Sequence, residues 1–340
     1  MMKRFLKTAS LTAVAAFALA TSAMAQEYTF RFQSSDPAGN PNFEYQKGWT
    51  DLVAEKSGGK VKIELMPVGS VVEYNETLDA VAAGILDGQI CDSSYWAGKD
   101  PAFGLIANPV GAWSDPAQMI DFVENGGGKE IMQELLGSYG LHFIGVSTPG
   151  LEAFVSRVPL NGVDDLKGVK VRSPEGPIAN VFAAAGAAPV NLPASEVFTS
   201  IDKGVVDAAD YSVFSVNQIQ GLNKVAPHPV YPGFHSLPLV EVSMNKAKWD
   251  ALPDDIKTLL ETTVKEFQQA QINGLKAADL KAIEEAKADG SISIHNWPDE
   301  ERAKFRKIAM AEWERIAKGS AMAQKVYDTL TSYLTQKGLL

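Results

Sequence analysis

Side-chain character alternates over Tyr28–Gln33 (YTFRFQ) and Val61–Met66 (VKIELM), the two-residue period of a strand. Between them Phe43–Ser57 has the spacing of a helix that Gly58-Gly59 stops, and Ser34–Asn40 is a run of turn formers. Strand, helix, strand in that order is a βαβ unit, and its repetition predicts an α/β sheet with parallel strands. An internal echo strengthens this. Glu76, Gly84 and Asp87 recur as Glu196, Gly204 and Asp207 at the same relative positions, each set describing a short helix ended by glycine and followed by a strand. Two such units predict two lobes of similar build whose strands end at a common crevice. Residues 26–149 are the expected first lobe, to which part of 239–340 returns, and 150–238 the second. In the second, Lys170–Arg172 reads as a strand end, followed by a helix opened by Pro177 and stopped near Gly186. From 253 to 289 the pattern is one helix, about 55 Å long at 1.5 Å per residue, and 298–338 hold further helices.

The ends and the charge narrow the function. Lys3, Arg4 and Lys7, an apolar run from Ala13 to Ala20, and Ala23-Met24-Ala25 make residues 1–25 a secretory signal peptide cleaved after Ala25; the apolar run is too short for a membrane anchor. Loss of the three basic residues leaves 28 Lys and Arg against 41 Asp and Glu, a net charge of −13. That excludes nucleic acid as a partner, and it obliges any site for an anion to create its own positive field. Cys91 is the single cysteine and reads as a small core residue. The four histidines form no zinc motif. Gly126-Gly127-Gly128-Lys129 lacks the spacing and the Ser or Thr of a phosphate loop, and is expected to be a solvated loop before a helix. No organic cofactor motif is present.

Asp165–Arg172 (DLKGVKVR), Gly186–Phe198 (GAAPVNLPASEVF) and Gly204–Asp207 (GVVD) together resemble the core signature of TRAP-transporter solute-binding proteins, the DctP-type periplasmic receptors. Tyr95–Phe103, Asp207–Tyr211 and Tyr231–His235 are similar to the branch that binds 2-oxo acids and lactate. The resemblance implies a two-lobed periplasmic binding protein fold of class α/β, with crossing strands and a long helix spanning both lobes. It implies a periplasmic protein that closes on a small organic carboxylate (a 2-oxo or 2-hydroxy acid) and delivers it to the TRAP membrane permease subunits. In this branch a Ca²⁺ or Na⁺ ion lies beside the ligand, and a homodimer is formed. A helix of 55 Å outruns one lobe, which also points to a homodimer if part of it stays uncovered. The competing class is an exported enzyme acting on small carboxylic acids; a receptor serving a sensor is a third reading.

The same resemblance assigns residues. Arg172 matches the carboxylate-binding arginine, whose planar guanidinium grips a carboxylate with two charge-assisted hydrogen bonds. Asp210 matches an acidic metal ligand, and Glu152 lies near a position where relatives carry a Gln ligand. An acid beside an anionic ligand is repulsive unless a cation lies between them, and two acids favour a divalent one. Tyr95, Trp96, Tyr211 and Phe234 are the expected pocket walls, core packing competing with ligand contact for each. His235 is expected to read a ligand oxygen or cap the pocket, and Ser35 to contribute from the first lobe.

Overall fold

A computed structural model of the chain describes residues 27–174 and 176–340; the expected signal peptide lies outside the described residues. The strands are β1 (Tyr28–Ser34), β2 (Val61–Met66), β3 (Gly88–Asp92), β4 (Leu141–Ser147), β5 (Ala153–Ser156), β6 (Lys170–Arg172), β7 (Ala188–Val190), β8 (Ala208–Ser212) and β9 (Val240–Asn245). They form a five-stranded sheet of order β2-β1-β3-β9-β4 and a four-stranded sheet of order β5-β8-β6-β7. The expected parallel pairing holds for β1 with β2 and β3, and for β6 with β7 and β8. It fails at β9, antiparallel to β3 and β4, and at β5, antiparallel to β8. The reason is topological. β4 runs directly into β5, and β9 follows the second sheet back into the first, so each of these chain crossings enters a sheet from the opposite end.

Local chemistry sets the elements. The first helix begins at Pro41 rather than Phe43 because Asn40 caps it, its side chain accepting from the Asn42 amide at 2.8 Å. Its buried face, with Trp49 and Val53, covers the first sheet.

The sequence echo is a structural one. Each copy is a 3₁₀ turn (Tyr74–Glu76, Ala194–Glu196) leading into a six-residue helix and a left-handed glycine, Gly84 at φ +75° and Gly204 at φ +69°. Each then ends in an aspartate that clamps a peptide of the neighbouring strand. Asp87 donates its amide to Arg31 O (2.8 Å) and accepts the Arg31 amide on Oδ2 (2.6 Å). Asp207 does the same with Lys170, at 2.8 and 3.0 Å. The shared Asp therefore fixes strand pairing, and the shared Gly turns the chain where a Cβ would be strained.

The long helix runs Asp254–Asp289, 36 residues, with Pro253 as N-cap and Gly290 as a left-handed stop. Ile256, Leu260, Val264 and Phe267 pack on the first sheet, whereas Ala282, Ile283 and Ala286 pack with Ala153 and Phe214 of the second lobe. The chain thus covers most of the helix's apolar face itself, and Leu280, 60% exposed, is the large apolar side chain of this helix left uncovered. Gly126–Gly128 is likewise no solvated loop. A Cβ on Gly126 would lie 2.5 Å from Tyr333 Cδ2, so the triplet is a tight corner beneath the C-terminal helix Ala321–Gln336. Cys91 is a fully buried free thiol. Among the described residues no helix is long and apolar enough to cross a membrane.

Candidate functional site

The carboxyl ends of β1, β3, β6 and β8 and the β4–β5 crossing converge on one cleft with a cavity of about 60 Å³. The loop after β1 brings Ser35 and Asp36, β3 brings Asp92 and then Tyr95, the crossing brings Pro149 and Glu152, β6 ends on Arg172, and β8 supplies Tyr211 and Ser212. Five residues read from the sequence therefore meet there: Ser35, Tyr95, Glu152, Arg172 and Tyr211.

Arg172 is 3% exposed. Its Nε donates to Leu192 O (2.9 Å) and its Nη1 to Asp210 O (2.6 Å), while Nη2 has no hydrogen-bond partner among the described residues. Two of the five guanidinium N–H groups thus hold the fork in place, and among the described residues the two on Nη2 remain for a ligand. A buried cation with free donors in a cleft is arranged for an anion.

Asp210 lies just behind, 3% exposed, with Oδ1 at 3.0 Å from His235 Nε2. Glu152, Asp210 and His235 each offer a ligand atom, and these atoms all lie within 4.8 Å of one another. Burial, then the charge of Asp210, raises the Glu152 carboxyl well above its ordinary range. Burial also pushes Asp210 upward, but His235, Glu152 and Arg172 outweigh it and the net shift is downward. Glu152 is therefore the member of the pair that holds a proton. Two buried carboxylates and an imidazole fit a hard cation, with Glu152 and Asp210 as oxygen ligands and His235 orienting Asp210. A cation of charge two would replace the proton and relieve the repulsion.

Two expected wall residues, Trp96 and Phe234, do not line the cleft, and neither do His235 and Asp210. Trp96 is 1% exposed and turned onto Phe103, ring centroids 5.6 Å apart, because the 3₁₀ turn Ser93–Trp96 points it into the core. Phe234 stacks on Trp297 at 3.8 Å. His235, fully buried, faces Asp210 rather than a ligand. Conversely, sequence reasoning missed Asp36, Asn40, Asn42 and Asp92. Asp36 sits in what reads as a turn, and Asp92 also caps the Ser93–Trp96 turn; their position at strand carboxyl ends was the available signal. A larger groove, about 410 Å³, lies along the long helix but contains neither Arg172 nor the Glu152–Asp210 pair.

Two α/β lobes joined by crossing strands, with a buried arginine and a carboxylate pair in the crevice between them, define a two-lobed solute-binding protein. The family model of bacterial extracellular solute-binding proteins of family 7 (DctP) matches residues 32–320, and the chain belongs to that family. A monocarboxylate 2-oxoacid-binding periplasmic protein of Nostoc is 28% identical over 84% of this chain and 78% of its own length. A TRAP periplasmic solute-binding protein of Rhodobacter sphaeroides, solved in an apo open form, is 71% identical over 92% of this chain and 99% of that one, with a TM-score of 0.77. A TRAP solute-binding protein of Colwellia psychrerythraea, solved with calcium and pyruvate, is 22% identical over 91% and 95%, with a TM-score of 0.82.

Proposed function

We propose that this chain is exported to the periplasm, closes its two lobes over a small carboxylate of the 2-oxo or 2-hydroxy acid class, and delivers it to the membrane subunits of a TRAP transporter. The observation that carries this is Arg172: buried, fixed by two main-chain carbonyls, and still holding free donors beside the Glu152–Asp210 pair. A ligand carboxylate between the guanidinium and a cation on Glu152 and Asp210 meets positive charge on two sides. Two protein carboxylates favour Ca²⁺ over Na⁺ for that cation. Relatives that bind 2-oxo acids, or calcium with pyruvate, support the ligand class, and relatives named as periplasmic support the compartment. The family is one of transporter binding proteins, which favours capture over catalysis. A homodimer could use only the outer face of the long helix, where Leu280 is exposed, or a surface elsewhere, and light scattering decides whether one forms.

Closure is supported by two observations. Tyr45 of the first lobe packs with Tyr211, Val213 and Val216 of the second around Leu275. The 71% identical open form also superposes less well than the 22% identical ligand-bound one, the reverse of what divergence alone would give.

Calorimetry with pyruvate tests the proposal. Binding is expected with Ca²⁺ present, weakened after chelation and dialysis, and restored by Ca²⁺ more fully than by Na⁺. Arg172→Ala should lower affinity roughly 30- to 5,000-fold, the cost of a lost buried charge pair. Unchanged affinity in a folded Arg172→Ala variant, or in protein shown metal-free by elemental analysis, would overturn it.

A further inference from the structure

The two walls of the cleft differ in charge. One holds Arg172 and the Glu152–Asp210 pair. The other, built from the loop after β1 and the end of β3, presents Asp36 and Asp92, and Arg172 on the opposite wall is the one Lys, Arg or His among the described residues that line the cleft. Their hydrogen-bond partners are neutral. Asp36 Oδ2 accepts from Gln46 Nε2 and Asp92 Oδ1 from the Ser94 amide, each at 2.8 Å. Both aspartates are half-buried and line the cleft.

Charge counting makes this informative. Arg172 and a divalent cation supply three positive charges, and Glu152, Asp210 and the ligand carboxylate consume three. Asp36 and Asp92 are left over, and closing the lobes over a ligand would take their charge further from water, where uncompensated charge is costly. We infer that Asp36 and Asp92 form a cation-accepting subsite facing Arg172, so that the ligand is a small hydroxy or oxo acid whose far end carries a protonated nitrogen. The subsite equally rejects a second carboxylate, since that end would meet two acids and no donor cation. The absence of a counter-charge has a further trace: burial pushes both aspartates up to about 6.

This inference rests on the proposed function, since it takes the Arg172 end as the carboxylate end. A matched series separates the two. Calcium-loaded protein is titrated with 2-hydroxybutanoate, 4-amino-2-hydroxybutanoate and malate, and with the shorter lactate, 3-amino-2-hydroxypropanoate and tartronate. At one length or the other, the amino acid should bind about tenfold or more tighter than its uncharged partner, and the dicarboxylates should not bind measurably. Asp36→Asn and Asp92→Asn, checked for folding by thermal melts, should each reduce that preference about tenfold. If the uncharged hydroxy acids bind and the amino forms gain nothing, the subsite is wrong while the carboxylate reading stands. Proton uptake on binding of the uncharged acids, read from enthalpies in two buffers, would also overturn it, because the aspartates would then be acting as neutral donors. If neither series binds, both readings fall.

Discussion

Single residues in this molecule have identities that their surroundings explain. Glu241 is fully buried at the centre of the first sheet, where Oε1 accepts from Gln89 Nε2 at 2.6 Å and Oε2 has no partner among the described residues. Burial pushes its carboxyl up to about 8. The folded state then holds a proton that the unfolded state has released above its ordinary value near 4.5. Stability from this group is full below that value and lost as pH rises toward 8. Glu241→Gln should flatten that decline, leaving the variant more stable than wild type near pH 9 by a difference on the order of a few kcal/mol. Parallel thermal melts from pH 5 to 9 check this; identical slopes in both proteins would contradict it. Arg172 was legible in the sequence because a signature surrounded it. Asp36 and Asp92 were not, because an acid in a turn or at a helix start has a sufficient local reason to be there, and only the meeting of two loops 56 residues apart reveals the other one.

At the scale of elements, the sequence carried the strands, the echo and the long helix, since each depends on a local period and a glycine or proline at its end. It did not carry the antiparallel strands, because a crossing segment has the same period whichever way it enters a sheet. Nor did it show what Gly233 does. A Cβ there would lie 1.6 Å from the carbonyl oxygen of Glu152, so two chain segments touch backbone to backbone directly under a candidate metal ligand. Gly233→Ala must displace one of them. It should destabilise the protein by roughly 1–3 kcal/mol and weaken calcium binding more than Gly48→Ala, whose added Cβ would meet nothing within 4 Å. Denaturant midpoints and calcium titrations of the two variants make the comparison; equal calcium affinity would show that the contact does not support the site.

For the whole molecule, the expected behaviour is a two-state hinge in which ligand favours the closed form by contacting both lobes. Small-angle scattering should show a smaller radius of gyration with calcium and ligand than in the metal-free protein, and Arg172→Ala should remain at the larger value. The same radius in all three would mean that the cleft does not gate lobe position. The seam around Leu275, against which Tyr45 and Tyr211 both pack, is the part of the closed form that should separate.

The long helix has a consequence of its own. Its first half is fastened to one lobe, by Thr263 to Trp49 Nε1 (3.0 Å) and by Gln268 to Val146 O (2.8 Å), and its second half to the other, by Asp279 to the Ser215 amide (2.7 Å). Gly274, against Tyr45, stands between these fastenings. A glycine in mid-helix costs about 1 kcal/mol of helical preference and makes that turn the easiest to bend. The helix is therefore a jointed lever geared to the hinge, with its outer face open to solvent. Because coupling is reciprocal, whatever grips that face in one posture must change the ligand's affinity by the same factor with which the ligand changes the posture.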